Sequence, residues 1–138
     1  MMRVMGLDLG TITLGIAVSD LLGMLARPLI TLRFDSEDYL SAIRQLLPII
    51  NEQGVKTIVL GLPKHMNNSI GISAIRSQEF KVLLQAAADV DVILLDERLS
   101  TVAAQRQLIL ADVSRKKRKQ VIDQMAAVLI LQGYLDRK

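Results

Sequence analysis

Cysteine is absent from the 138-residue chain, which excludes a disulfide framework and a thiolate metal site. Histidine occurs once, at position 65, so a zinc centre built from several imidazoles is excluded as well. Tryptophan is missing, and phenylalanine and tyrosine number two each. With 51% of the residues hydrophobic, the core must therefore be aliphatic, built from Leu, Ile, Val, Ala and Met. So few aromatics also make base stacking a minor part of any contact with nucleic acid. No apolar run approaches the roughly 18 residues of a membrane span, and the first residues lack the features of a signal peptide. The expectation is a cytoplasmic protein with no membrane partner, folded as a single domain over residues 1–138. A formal net charge of +3 and a pI of about 9.4 favour an anionic partner only where the charge is clustered.

What is present is organised around Arg3 to Thr11 (RVMGLDLGT), which reads as a strand carrying one carboxylate, Asp8, on an apolar run. Side chains alternate along a strand, so Val4, Gly6, Asp8 and Gly10 share a face. Glycine in a strand often marks the close approach of a ligand or of another backbone, and Gly6 and Gly10 suggest an open floor around Asp8. A strand-end turn that happens to contain an aspartate is the plainer alternative.

Leu14 to Ser19 and Pro28 to Phe34 read as second and third strands, and the short links between them imply antiparallel neighbours. Asp35 to Asp38 offer an N-cap and first-turn acids for a helix that Pro48 should kink or end and Gly54 should close. Lys56 to Leu60 is a strand, about Ser73 to Ala88 a helix, and Val90 to Leu95 a buried strand. Strand, helix, strand argues for parallel pairing through a right-handed crossover. A helix from Ser100 or Thr101 to about Leu110 and a final, almost wholly apolar helix to about Leu135 complete the chain, with the basic stretch Ser114 to Lys119 between them. The predicted fold class is α/β: a mixed five-stranded sheet of three antiparallel strands plus two parallel ones, flanked by helices.

Three acids ask for an explanation: Asp8 on the first strand, Glu97 beside Asp96 at the end of the last strand, and Asp123 on the apolar final helix. The carboxyl ends of strands are where open α/β sheets collect ligands. A cluster of Asp8, Glu97 and Asp123 suits Mg²⁺ or Mn²⁺, and two such ions about 4 Å apart activate water and stabilise the leaving oxygen of a phosphodiester. The alternatives are surface ion pairs, Asp123 with Lys119 and Glu97 with Arg98 or Arg115. The run Arg115-Lys116-Lys117-Arg118-Lys119 is the one clear cluster of charge, either a solvated loop or a hold on a phosphate backbone. In the polar loop after Gly61-Leu62-Pro63, Lys64, Asn67 and Asn68 are candidate phosphate contacts, whereas His65 has no acidic neighbour and reads as a surface histidine.

The segments GLDLGTITLGIAVSD, GLPKHMNNSIG, DERLST and ADVSRKKRKQVIDQMAAVLILQGYL, in this order, resemble the YqgF (RuvX) family of pre-16S ribosomal RNA nucleases and Holliday junction resolvase-like proteins. The resemblance covers essentially the whole chain. It implies a ribonuclease H-like fold, Asp8, Glu97 and Asp123 as a metal-binding triad, and precursor rRNA or branched DNA as substrate. It leaves open whether the protein is a monomer or a homodimer. The chain departs from the commoner family pattern at Thr13, Asn67, Asn68, Ile72, Ser73 and Ile75; at Ser73 it lacks a phosphate-binding charge. Two rival readings remain. One is an actin-like or sugar-kinase phosphate loop, for which 138 residues supply only one of the two domains needed. The other is a non-enzymatic nucleic-acid-binding protein with structural acids.

Overall fold

Tight links between the first three apolar runs leave room only for turning back, and β1 (Arg3–Leu9), β2 (Thr13–Ser19) and β3 (Ala26–Arg33) form an antiparallel meander. The computed structural model describes residues 3–62, 72–96 and 115–137, and the side chains of all of these except 62, 72–74 and 115–124. In the first link the Gly10 N–H donates to the Thr13 carbonyl over 2.8 Å. Then follow α1 (Tyr39–Gln53), β4 (Val55–Leu62), α2 (Ile72–Ala87), β5 (Asp91–Asp96) and α3 (Arg115–Asp136). β4 pairs in parallel with both β1 and β5, giving the order β3-β2-β1-β4-β5. The expected mixed five-stranded sheet is therefore observed, with β1 at its centre.

One helix boundary differs from expectation, and one alternative is decided. Of the two outcomes expected of Pro48, kinking or ending the helix, the second does not occur: α1 runs on to Gln53 and closes at Gly54 as expected. The proline is exposed while Leu46 and Ile50 on either side of it are buried, so packing of the inner face outweighs the one backbone hydrogen bond that proline removes. The helix is closed at both ends as anticipated: the Asp38 carboxylate accepts from the Ser41 N–H over 3.2 Å, and Gly54 terminates it with φ of 66°. The boundary that differs is that of α3, which begins at Arg115, so the basic run forms its opening turns rather than a loop before it. Lys and Arg are good helix formers, and a long helix held by its packed half can extend through them. The expected helix from Ser100 or Thr101 to Leu110 lies outside the described residues.

Strand alternation divides the core in two. On one face Met5, Leu7, Leu14, Ile16, Val18, Ile58 and Leu60 pack under α1 and α2, with Phe80 and Leu84 from α2 buried among them. On the other, Val4, Ala17, Val59 and Leu95 meet Ala127, Ile130, Leu131 and Leu135 of α3. Ile130 and Leu131 are fully buried, each contributing roughly 1.5–3 kcal/mol. The side-chain amide of Gln132 fixes the direction of this helix: it accepts from the Ala26 N–H at 2.9 Å and donates to the Met24 carbonyl at 3.0 Å. Ala26 pairs with Ser19, whose hydroxyl accepts from the Val4 N–H over 2.8 Å, at the N-terminal end of β1. The second half of α3 is thus tied to that end of the sheet, and its first half extends toward the C-terminal end of β1.

Candidate active site

Asp8 sits half-buried near the C-terminal end of β1, on the face that α3 covers. Its cross-strand neighbours decide what surrounds it. Asp8 pairs with Gly15 on β2, and Gly15 with Thr31 on β3. On the other side Leu7 pairs with Leu60, which brings Gly61 beside Asp8, and Gly61 pairs with Leu95 on β5. The row across the sheet therefore reads Thr31, Gly15, Asp8, Gly61, Leu95, and the carboxylate stands between two strands that offer no side chain at its level. The Thr31 hydroxyl in this row is buried with no hydrogen-bond partner among the described residues.

The expectation that Gly6 and Gly10 open the floor is corrected. A Cβ at Gly6 would lie 2.6 Å from Leu131 Cβ and 2.8 Å from the Ala127 carbonyl oxygen, so this glycine is filled by the backbone of α3. It is a close-packing contact between helix and strand. A Cβ at Gly10 would come within 3.0 Å of the Thr13 hydroxyl, so that glycine serves its turn. The sequence spacing that would have revealed the true flanking pair, Gly15 and Gly61, becomes legible only when the strand register is known.

Asp123 lies on α3, one turn before Ala127, and Arg115, Lys116, Lys117, Arg118 and Lys119 open the same helix. The backbone is described here and the side chains are not. Glu97, Lys64, His65, Asn67 and Asn68 lie outside the described residues. Asp96, which ends β5, follows the parity of Val92 and Leu94 and so belongs to the α1–α2 face, opposite Asp8. Among the described residues no three His, Cys, Asp or Glu side chains gather around a metal position.

One cluster was not anticipated. The Arg76 guanidinium of α2 pairs with the Glu37 carboxylate, three residues beyond the serine that stands where the resemblance calls for an arginine. Glu37 has φ of 60°, unusual for a residue with a side chain, and its N–H donates to the Thr11 carbonyl over 3.0 Å. Arg76 thereby comes to the end of β1, lining a cavity of about 130 Å³ with Leu9, Gly10 and Thr11. It also lines a wider groove with Glu37, Tyr39, Ile75 and Glu79. Burial raises the Tyr39 phenol above its usual pKa of 10.0, while the Arg76 charge pulls it back down. Only a tertiary contact between the turn before α1 and the body of α2 could have shown this pair, and neither stretch carries a motif.

A mixed sheet in this order, with an acid on its central strand beneath a long helix, defines a ribonuclease H-like α/β domain. Solved resolvases share the architecture. RuvC of T. thermophilus, in complex with a Holliday junction substrate, superposes with a TM-score of 0.62 at 14% identity, covering 99% of this chain and 96% of that one. The fowlpox virus resolvase in its junction complex gives 0.58 at 13% identity, covering 99% and 98%. The chain belongs to the RuvX family, whose model, described as "RuvX: Holliday junction resolvase", matches residues 2–137. It is 58% identical over 137 residues to a Geobacillus sp. (strain WCH70) protein named "Putative pre-16S rRNA nuclease", covering 99% of each. A Staphylococcus aureus (strain JH9) protein of the same name is 54% identical over 135 residues, covering 97% of this chain and 95% of its own.

Proposed function

We propose that this protein is a divalent-metal-dependent nuclease of the cytoplasm that hydrolyses phosphodiester bonds, with the 5′ end of pre-16S rRNA as its substrate in ribosome biogenesis. Near-full-length identity above half to proteins named for that activity supports the substrate. The observation that carries the chemistry is Asp8, a half-buried acid with side-chain-free neighbours on both adjoining strands. The space that the two glycines leave beside the carboxylate would admit a hard cation, for which carboxylate oxygen is a suitable ligand.

Two further acids are proposed as its partners. An α-helix advances about 1.5 Å per residue, so Asp123, one turn before Ala127, lies roughly 6 Å further toward the C-terminal end of β1. From Gly6, which Ala127 covers, Asp8 lies two strand residues along in the same direction, roughly 7 Å. These two advances along helix and strand support pairing Asp123 with Asp8. Glu97 follows the last residue of β5 in the chain and is carried by the family resemblance alone. An all-oxygen set of this kind fits Mg²⁺ or Mn²⁺, with Asp8, Glu97 and Asp123 as the holding residues. The bound cation supplies Lewis-acid activation of water and charge neutralisation at the leaving oxygen, so no separate general base is required. Lys116, Lys117 and Lys119 hold the phosphate backbone, assisted by Arg115, Arg118, Lys64, Asn67 and Asn68.

The test is a side-by-side cleavage assay with Mg²⁺ or Mn²⁺ on a precursor rRNA 5′ end and on a four-way DNA junction, using wild type and Asp8→Asn. Wild type should cut the RNA and the variant, still folded, should not. Preferential cutting of the junction would transfer the substrate to branched DNA. Equal activity of the purified variant would sink the mechanism, and binding with no cleavage under any divalent ion would make the protein a non-enzymatic binder.

A further inference from the structure

We infer that Arg76 and the backbone of Gly10 and Thr11 form a phosphate subsite beside Asp8, which takes the phosphodiester next to the one that is cut. The inference rests on the nuclease reading above. The small cavity at the end of β1 is lined by three uncharged residues, Leu9, Gly10 and Thr11, and one cation, Arg76. Its volume of about 130 Å³ exceeds the roughly 30 Å³ that one water occupies, leaving room for a phosphate group. Glu37 and Glu79 line a separate, wider groove with Arg76 and are absent from the lining of the small cavity. The one charged group among the described residues that line the small cavity is therefore a cation, which suits an anion.

The guanidinium is held for this task. Its side chain is 27% exposed, against 50% for Glu37, so it is the more enclosed partner of the pair. A guanidinium has five N–H donors and a carboxylate engages at most two of them in a fork, so donors remain for a phosphate oxygen. Glu37 is fixed in turn by its N–H bond to Thr11 and held in a left-handed backbone conformation that costs of order 1–3 kcal/mol. The turn before α1 thus couples Arg76 to the segment that leaves β1. Gly10 follows Asp8 by two residues, roughly 7 Å of chain, and Leu9 packs on the α1–α2 side of the sheet, so a strand of nucleic acid reaches the guanidinium from the carboxylate by passing around the end of β1.

The experiment measures cleavage kinetics in Mg²⁺, and metal-free binding across a salt series, on a fluorescent RNA matching a precursor 5′ end, for wild type, Arg76→Ala, Arg76→Lys, Arg76→Gln and Asp8→Asn. For Arg76→Ala we expect KM to rise roughly tenfold or more with kcat little changed. The slope of log affinity against log salt should fall by about 0.7, the value of one contact to a single strand. Arg76→Lys should restore the slope and part of the KM, and Arg76→Gln, which keeps the stem and folds if the alanine variant does not, should behave like alanine. An unchanged KM and slope in both neutral variants, while wild type cleaves and Asp8→Asn does not, overturns the subsite and leaves the nuclease reading standing. Wild type that neither binds nor cleaves this RNA overturns both.

Discussion

Gly6 and Asp8 stand two residues apart on one face of β1 and face different surroundings. Gly6 lies under the backbone of α3, with Leu131 and Ala127 where its own Cβ would be. Asp8 stands between Gly15 and Gly61. Side-chain parity, readable from the sequence alone, put both residues on the same face but could not say which is covered, because that depends on where a helix more than a hundred residues later crosses the strand. The distinction is testable at Gly6. Its replacement by Ala forces the helix outward, since the Ala127 carbonyl is backbone and Leu131 Cβ is the rigid root of its side chain. Overpacking of this kind typically costs about 1–3 kcal/mol. Gly6→Ala should therefore lower the urea midpoint without changing the slope of the transition, as equilibrium unfolding followed by circular dichroism would show. A midpoint equal to wild type would mean that α3 does not press on β1 as closely as the structure has it.

Elements with a period of their own were the legible ones. The three apolar runs separated by short turns became the meander β1-β2-β3, and the strand-helix-strand pattern after Gly54 became two parallel pairings. Features that depend on packing were less legible: Pro48 could have kinked or ended α1, and the buried residues around it carry the helix on to its expected close at Gly54. The start of α3 is the instructive case. Five cations at a helix N-terminus oppose the helix dipole, each by about 0.3–1 kcal/mol, and repel one another, so local charge argued for a loop. The apolar second half, fully buried at Ala126, Ala127, Ile130 and Leu131, offsets that cost. A polyanion laid on these turns would relieve it. Replacing Lys116 and Lys117 by Ala should thus move two observables in opposite directions. Thermal stability without ligand should hold or rise, because repulsion is removed and alanine favours the helix. Binding to every nucleic-acid sequence should weaken alike, with a flatter salt dependence. An unchanged salt slope would remove the basic turns from the binding surface.

In the whole molecule the sheet separates two cores, and α3, which carries Asp123 one turn before Ala127, packs through its second half on the face of β1 that bears Asp8. Under the proposed reading, the fold holds three carboxylates together only because a cation joins them, so metal and fold should be thermodynamically linked. A ligand that binds only the folded state stabilises it by RT ln(1 + [L]/Kd), about 2.7 kcal/mol at a hundredfold excess over Kd. Without metal the same acids repel one another, and like charges in one site disfavour their common ionisation. The two effects have opposite signs for Asp8→Asn. In EDTA the variant, with one charge fewer, should melt at or above the wild-type temperature. In saturating Mn²⁺ wild type should gain several degrees while the variant gains little, so that the order of the two melting curves reverses. Arg76→Ala makes the control, because it lies outside the metal set and should rise with Mn²⁺ as wild type does. Parallel shifts of wild type and Asp8→Asn would show that the cation binds elsewhere, and the assignment of Asp8 as its anchor would fall even if the protein cleaves RNA.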